Sequence, residues 1–292
     1  MIRLISNGPI RFSRLVIMCA IAITACESPY VPDDDADNVH LHFDVSTADA
    51  TRALSSQFFG KLNIQLFDAD GQKVFSTIRT QSSGDSEFGS LSLNLSEGTY
   101  TVVAVGHSSK ISATIKSPTV CQFTASDGEK LTDTFCHCSQ IVVGGSDSDY
   151  HLTMYRAAAM FQLCLRDSVM PPNFAHVRLE YTGGSANFNP STLQGITKST
   201  QSELRTTNGV QIYQAYTFPY MADSCKLKMT VTALDINDNV IRSRVFDGVP
   251  VTRNRITTYQ GPFFQDGDGQ LSQSDFSFIV NADWDGEIFV NF

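Results

Sequence analysis

The stretch Lys61–Ile78, KLNIQLFDADGQKVFSTI, shows how most of this chain is built. Leu62, Ile64 and Leu66 occupy alternate positions, which is the period of a strand with one buried face. The tetrapeptide DADG, Asp68–Gly71, has the residues of a tight turn, and the segment QKVFSTI after it is rich in β-branched and aromatic residues. The stretch therefore predicts a β-hairpin.

Segments of this kind recur from Val39 onward, separated by Gly, Asn and Asp. GSLSLNLSEGTYTVVAVG, Gly89–Gly106, repeats the pattern and predicts a second hairpin that turns at Ser96–Gly98. Helical periodicity is nearly absent. Many short strands joined by such turns predict antiparallel β-sandwiches. Other predicted strands span residues 39–45, 176–183, 211–220, 226–235 and 240–251.

The two halves of the chain have a similar pattern of short strands and turns. LFDADGQKVF, Leu66–Phe75, corresponds loosely to ALDINDNVIRSRVF, Ala233–Phe246, which suggests two copies of one architecture. We place the boundary near Tyr155, giving an N-terminal sandwich at residues 39–155 and a C-terminal sandwich at 156–292.

Residues 1–25 have the pattern of a secretion signal. Three arginines precede an apolar run, Leu15–Ala25, which is too short to span a bilayer as a helix. The tetrapeptide Ile23–Cys26 resembles the lipobox of bacterial lipoproteins. The resemblance implies that Cys26 becomes the first residue of the mature chain and carries acyl chains, and two or more chains give durable anchoring. The alternative is an ordinary signal peptide that ends at a chance cysteine.

Residues 26–38 form a proline-spaced, acidic tether that has too few apolar residues to fold. Acidic residues after a lipidated cysteine also resemble a surface-export signal, so we expect a lipid-anchored protein on the outer face of the cell outer membrane. Removal of residues 1–25 takes away three of the 21 Lys and Arg residues and none of the 30 Asp and Glu residues, so the formal net charge falls from −9 to −12. An acidic surface disfavours nucleic acid as a partner.

The mature chain has five cysteines besides Cys26, in a compartment that oxidises thiols. We predict that Cys121 pairs with Cys136 or Cys138, and that Cys164 pairs with Cys225. The motif FCHCSQ, which contains Cys136 and Cys138, could suggest a metal, but it lacks the second ligand pair of a zinc site.

No motif of an enzyme is present. The chain has no G-x-S-x-G, no phosphate-binding Gly-Lys loop and no H-E-x-x-H, so we predict a protein without catalytic activity. The acidic stretch Gln265–Asp275 departs from the EF-hand pattern at two positions and is better explained as a solvated turn. His40 and His42 share one strand face but lack a third ligand, so we predict no metal, and no cofactor beyond covalent lipid.

The stretch YTFPYMADSCKLKMTVTALDINDNVIRSRVFDGVPVTRNRITTYQGPFF, Tyr216–Phe264, resembles the FimB/Mfa-type anchor and accessory subunits of type V fimbriae, or pili. The matching features are Phe218-Pro219 at a strand end, a long hairpin, and Val249-Pro250 followed by Arg253-Asn254. FGKLNIQLFDADG and GTYTVVAVG fit the first domain of that family. The resemblance implies two tandem transthyretin-like, Greek-key β-sandwich domains and a role in attaching, terminating or tipping a fimbrial fibre that supports cell adhesion.

The same resemblance implies that subunits associate by β-strand addition, in which an extended segment of one chain pairs with the sheet of another. In polymerising relatives a protease cuts after an arginine that follows the first strand, and the strand is released. Arg52-Ala53 stands at such a place. We favour an uncut loop here, because an anchor that keeps its first strand, Val39–Val45, has no open groove.

The C-terminal stretch GEIFVNF places Ile288, Val290 and Phe292 on one face of a predicted strand. It is either a core strand, which we favour, or a strand that is given to a neighbouring subunit. Two other functions remain open: a fimbrial tip adhesin of the same family, and a glycan-binding surface lipoprotein. The aromatic residues of a glycan site would come from four positions: Tyr213, Phe263, Phe264 and Trp284.

Overall fold

The structure is a computed structural model that describes residues 37–46, 53–54, 58–81, 87–124, 131–207, 209, 211–265 and 277–280. All regular elements in these ranges are β-strands, which confirms the predicted all-β class. No helix of the described chain is long and apolar enough to cross a membrane. The strands are β1 (Val39–Val45), β2 (Ala53–Leu54), β3 (Lys61–Phe67), β4 (Lys73–Thr80), β5 (Ser90–Leu93), β6 (Gly98–His107), β7 (Ala113–Ser117), β8 (Val120–Phe123), β9 (Thr134–Val143), β10 (Ser148–Arg156), β11 (Ala159–Leu165), β12 (His176–Thr182), β13 (Asn187–Asn189), β14 (Gln194–Gly195), β15 (Gln201–Thr206), β16 (Ile212–Thr217), β17 (Ser224–Leu234), β18 (Val240–Thr252), β19 (Ile256–Gly261) and β20 (Ser277–Val280).

The eight strands of the first half are connected in the order β2-β1-β10-β9-β6-β3-β4, and β5 also pairs with β1. β10 joins two layers of a sandwich, because its residues 148–154 pair with β1 whereas only Tyr155 and Arg156 pair with β9. The two layers enclose an apolar core that includes side chains from β1, β3, β4, β5, β6, β9 and β10. The predicted β3–β4 hairpin is confirmed: Lys61 lies opposite Thr80, and Gly71 takes a positive φ of 75° in the turn. Glycine suits that position because it has no Cβ to clash.

The second predicted hairpin is wrong. β5 and β6 do not pair with each other in the described sheet; β5 pairs with β1, whereas β6 lies between β3 and β9. The alternation of Leu91 and Leu93 correctly indicated a strand, but alternation does not specify which strand is the neighbour.

The second half is a sandwich of two four-stranded sheets, ordered β16-β11-β19-β20 and β15-β12-β17-β18. Their facing sides enclose a second apolar core. The long β17–β18 hairpin turns at 235–239, where the Asp235 carboxylate accepts hydrogen bonds from the backbone N–H groups of Asn237 and Asn239. Both halves therefore have the sandwich architecture that the sequence predicts.

Each half contains one parallel strand pair within its otherwise antiparallel pairing. β1, the first strand of the first half, runs parallel to β10, and β11, the first strand of the second half, runs parallel to β19. Each of these two first strands also has an antiparallel neighbour, β5 for β1 and β16 for β11. This equivalent placement agrees with two copies of one architecture.

A further four-stranded sheet, ordered β14-β13-β8-β7, takes strands from both sides of the predicted boundary near Tyr155. In it β8 pairs with β13, so that Cys121 lies opposite Phe188. A third apolar core lies beneath this sheet and contains Phe123 from the first half with Phe188 and Phe218 from the second. The first two cores separate between Met154 and Ala159, while the third joins the halves.

Candidate functional site: the first strand and its surroundings

Strand β1 is an internal strand of its sheet and is paired along both edges. All seven of its residues lie opposite residues 148–154 of β10 in a parallel register. On the other edge, residues 39–42 lie opposite β5, and Asp44 and Val45 lie opposite β2. The position that a missing first strand would leave open is therefore filled by the chain's own strand.

The inner face of β1 anchors it in the first core. Val39, Leu41, Phe43 and Val45 alternate into the core and are at most 2% exposed. Burial of one such side chain stabilises the folded state by roughly 1.5–3 kcal/mol, so the four together contribute about 6–12 kcal/mol. This is an upper estimate, because an unfolded chain already buries some apolar surface.

The outer face of β1 carries histidines and an acid that meet complementary groups on β10. The rings of His42 and His151 are stacked with their centroids 5.0 Å apart. His42 Nε2 lies 3.7 Å from Asp149 Oδ1, and His151 Nδ1 lies 3.4 Å from Asp44 Oδ2. Exposed pairs of this kind contribute at most about 1 kcal/mol each, so the inner face dominates the stability of β1.

The same outer face also meets β5, through hydroxyl groups. His40 Nδ1 lies 2.9 Å from Ser92 Oγ, and His42 Nδ1 lies 3.1 Å from Ser90 Oγ. Although His151 joins His42 here, no group of three or more His, Cys, Asp or Glu side chains in the described ranges is arranged to hold a metal ion.

Strand β2, the next strand along the chain, pairs with the end of β1. Ala53 pairs with Val45, and Leu54 pairs with Asp44, in a short antiparallel bridge. Arg52, the other half of the predicted processing site, lies outside the described residues, as do Cys26 and the C-terminal residues Ile288, Val290 and Phe292. Their predicted roles in processing, lipidation and strand exchange stay predictions.

The motif FCHCSQ forms part of β9 and splits its side chains between two faces. Cys136 and Cys138 face the third core, and His137 lies on the opposite face. His137 Nδ1 lies 2.8 Å from the carbonyl oxygen of Thr153, which can only accept, so Nδ1 carries the proton and Nε2 accepts from Ser139 Oγ at 2.7 Å. Burial lowers the pKa of His137, so a neutral ring bonded within the sheet explains the motif.

No disulfide joins the predicted cysteine pairs in the part of the chain that the structure describes. Cys121, Cys136 and Cys138 all contribute to the third core, and burial raises the pKa of each. The disulfide between Cys121 and either Cys136 or Cys138 therefore stays a prediction. Its candidate partners all lie at the same core.

The second predicted pair has less support from the arrangement of the strands. Cys225 packs against the second core. Cys164 lies on the face of β11 opposite the core residues Leu163 and Leu165, where Gln162 Nε2 approaches its sulfur at 3.8 Å.

The aromatic residues considered for a glycan site are mostly core residues. Tyr213 is 2% exposed and Phe263 1% exposed, and both pack in the second core. Phe264 is half-buried against that core, and Trp284 lies outside the described residues. Tyr213 and Phe263 are therefore not available as a sugar platform.

A feature that the sequence did not predict is a cleft between β4 and β5. It has a volume of about 500 Å³, and its polar lining includes Thr77 and Arg79 on β4 and Ser90 and Ser92 on β5, with Glu87 beside them. Arg79 Nη1 crosses the cleft and donates to the carbonyl oxygen of Ser90. The cleft arises because these consecutive strands pair with different partners, β4 with β3 and β5 with β1, and periodicity does not specify partners.

The sequence model of a family described as fimbrillin-A associated anchor proteins Mfa1 and Mfa2 matches residues 32–288. The chain belongs to this family. Membership assigns it a fimbrial anchor role at the cell surface, in association with other fimbrial subunits. No curated protein is significantly similar to it in sequence.

Solved structures share the fold of this family member at low sequence identity. A candidate polysaccharide-binding protein from Bacteroides thetaiotaomicron has a TM-score of 0.54 at 8% identity, covering 82% of this chain and 100% of that one. A candidate adhesin from the same species has a TM-score of 0.52 at 13% identity, covering 86% and 98%. The fimbrial anchor protein Mfa2 from Porphyromonas gingivalis is 14% identical, covers 83% and 94%, and has a TM-score of 0.46.

Proposed function

We propose that the mature protein is a surface-exposed lipoprotein of the outer membrane that anchors a fimbria or terminates its fibre. Acyl chains at Cys26 hold it in the membrane, and residues 26–38 separate the folded body from the lipid surface. Family membership supports the link to a fimbria. The lipobox pattern at Ile23–Cys26 and the acidic tether support the link to the membrane.

The observation that carries the proposal is the position of β1 inside its sheet. With both edges paired and its inner face buried, β1 occupies the strand position that an incoming subunit would otherwise fill. A subunit in this state cannot accept another strand at that position, so the fibre stops growing there. A terminating or anchoring subunit needs this property.

Retention of β1 also keeps the body attached to the lipid. Cleavage between Arg52 and Ala53 would leave Cys26 and β1 on a separate peptide, joined to the body only by non-covalent contacts. We therefore propose that this bond stays intact in the working protein.

The lipid attachment is tested by metabolic labelling with a fatty acid in cells that produce Cys26→Ala. We expect the variant to lose the label and the fimbriae to be shed into the medium. Cys19→Ala is the matched control, because Cys19 lies within the signal segment and should leave labelling and attachment unchanged. Labelled Cys26→Ala protein, or fimbriae that stay attached to those cells, would contradict the proposal.

Glycan binding and a tip position are the remaining functional alternatives. Two of the four aromatic candidates for a sugar platform are buried in the second core, which disfavours glycan binding through them. A pull-down of fimbrial subunits set beside a glycan array distinguishes the first alternative. Localisation along isolated fibres distinguishes the second, since an anchor stays at the membrane end.

A further inference from the structure

The outer edge of β4 carries backbone groups that pair with no other strand among the described residues. Among the described strands, β4 pairs with β3 alone. The backbone N–H of Gln81 donates to Gly60 O at 2.8 Å, so residues 77, 79 and 81 direct their N–H and C=O groups toward β3. In an antiparallel strand these directions alternate, and Ser76, Ile78 and Thr80 therefore direct theirs away from β3, toward the cleft.

Strand β5 presents a similar edge to the cleft from the other side. The N–H of Phe43 donates to Gly89 O at 2.8 Å, and Leu91 lies opposite Leu41, so the backbone groups of residues 89 and 91 face β1. By the same alternation, Ser90 and Ser92 direct their carbonyl groups away from β1. Arg79 donates to the Ser90 carbonyl from across the cleft, in agreement with this direction.

The separation between these two edges is larger than one strand spacing. Directly paired strands lie about 4.8 Å apart and bond through their backbones. Here a long arginine side chain bridges the strands, and a cavity of about 500 Å³ lies between them. β4 and β5 are therefore not paired with each other among the described strands, and the cleft separates their edges.

We propose that the cleft between β4 and β5 accepts an extended segment of a neighbouring fimbrial subunit, which pairs by its backbone with Ser76, Ile78 and Thr80 of β4. This inference rests on the proposed fimbrial function and names a docking position separate from the filled position of β1. An extended peptide fits because its alternating N–H and C=O groups match the edge of β4, which a compact ligand cannot do. On the β5 side only the carbonyl groups of Ser90 and Ser92 are offered, because the N–H of Ser90 donates to Glu87 O at 2.9 Å.

The lining of the cleft defines the chemistry of that segment. Its walls are mainly polar, with one apolar contribution from Leu91, so most of the side chains that enter it are polar. The polar lining residues are His42, Thr77, Arg79, Glu87, Ser90 and Ser92. Arg79 leaves the Ser90 carbonyl when the strand enters. Before the strand binds, the Arg79 side chain covers part of an exposed strand edge that would otherwise favour aggregation.

The test is a binding measurement between the purified mature protein and fimbriae sheared from the producing bacterium. Ile78→Pro removes only an N–H that faces the cleft and leaves the β3–β4 hydrogen bonds in place. We expect at least a tenfold loss of affinity. Ile78→Thr is the matched control, since it changes the same half-exposed side chain but keeps the N–H, and it should bind like wild type.

A second variant separates strand addition from a site that binds through side chains. Arg79→Ala should keep or increase affinity, because the incoming strand must displace Arg79. If Arg79→Ala abolishes binding while Ile78→Pro preserves it, a ligand that contacts side chains, such as a glycan of the fibre, occupies the cleft and the proposal is wrong.

If Ile78→Pro folds poorly, amide hydrogen exchange of the wild-type protein, measured with and without bound fimbriae, tests the same docking position. The amides of Ser76, Ile78 and Thr80 should gain protection on binding, and unchanged exchange there would overturn the proposal. If wild-type protein does not bind fimbriae at all, the proposed fimbrial function fails. If it binds but neither variant nor exchange changes, only the docking position fails.

Discussion

The buried side chain of His107 has a strongly lowered pKa. It is fully buried at the end of β6, and its Nε2 accepts a hydrogen bond from the Ala113 N–H at 3.4 Å. The proton therefore sits on Nδ1, which has no partner among the described residues. Burial, assisted by the nearby Lys61 ammonium, lowers the pKa of His107 from 6.5 to about 4.

This shift makes stability dependent on pH in a defined window. The unfolded chain takes up a proton at His107 near pH 6.5 and the folded chain only near pH 4, so stability falls as the pH falls through this range. The full effect is about 3 kcal/mol in the free energy of unfolding. Urea unfolding at a series of pH values should show this loss in wild type and a smaller one in His107→Gln, and equal slopes would contradict the assignment.

Asp167 fixes the segment that follows β19. Its buried carboxylate accepts hydrogen bonds from three consecutive backbone N–H groups, those of Phe263 at 2.7 Å, Phe264 at 2.6 Å and Gln265 at 3.1 Å. Asp167→Ala should lower the free energy of unfolding by about 2–4 kcal/mol, because hydrogen bonds to charged groups are strong and these donors lose them.

The matched control for Asp167 is an exposed aspartate. Asp223 pairs with Arg253 at 3.2 Å on the surface, and Asp223→Ala should cost less than about 1 kcal/mol. Equal effects of the two substitutions in thermal or urea unfolding would contradict the role given to Asp167.

At the scale of elements, β1 is held by its inner face and its two neighbours. Phe43→Ala should lower the free energy of unfolding by about 3–5 kcal/mol, because Phe43 is 2% exposed and its removal leaves a cavity. His42→Ala, one position away on the outer face, should cost less than about 1 kcal/mol. If the two variants unfold at the same urea concentration, β1 does not sit in the sheet as described.

The sequence predicted the positions of many strands, but it predicted poorly which strands pair with each other. Periodicity located β1, β3 and β18 to within a residue, because apolar residues alternate along much of each strand. It also predicted the β3–β4 and β17–β18 hairpins, whose partners are joined by short turns. The pairing of β5 with β1, and of β8 with β13, joins strands that are distant in sequence, and alternation contains no information on such contacts.

The same limit applies to the candidate sites. The sequence has a single tryptophan, which disfavours a sugar platform, and its strand patterns favour core positions for the other aromatic candidates. The structure agrees for Tyr213 and Phe263, which are buried. The meeting of His42 with His151, and the cleft spanned by Arg79, depend on pairing and sheet curvature. Neither could be predicted from one sequence.

At the scale of the whole molecule, the two halves are joined into one unit. Phe218 of the second half packs against Phe123 of the first, with ring centroids 5.9 Å apart. Arg156 donates to both carboxylate oxygens of Asp133 at 2.9 and 3.0 Å and to Asn254 Oδ1 at 2.7 Å. These contacts cross the predicted boundary, so tension on a fibre held by one half would pass to the other through packed side chains.

We therefore expect the mature protein to unfold in a single calorimetric transition. Phe218→Ala should lower the midpoint of that whole transition, since it leaves a cavity in the shared core at a cost of about 3–5 kcal/mol. Ile212→Ala, at a side chain that is 44% exposed, should have little effect. Two separate transitions in the wild type would show that the halves fold independently.

The central claim is that the working protein keeps its first strand and its lipid on one continuous chain. Intact-mass spectrometry of the protein extracted from outer membranes, with sequencing of its N-terminus, tests this directly. The account predicts a polypeptide that begins at an acylated Cys26 and includes Val39–Val45. A polypeptide that begins at Ala53, or one that begins near Cys26 without acyl chains, would contradict it.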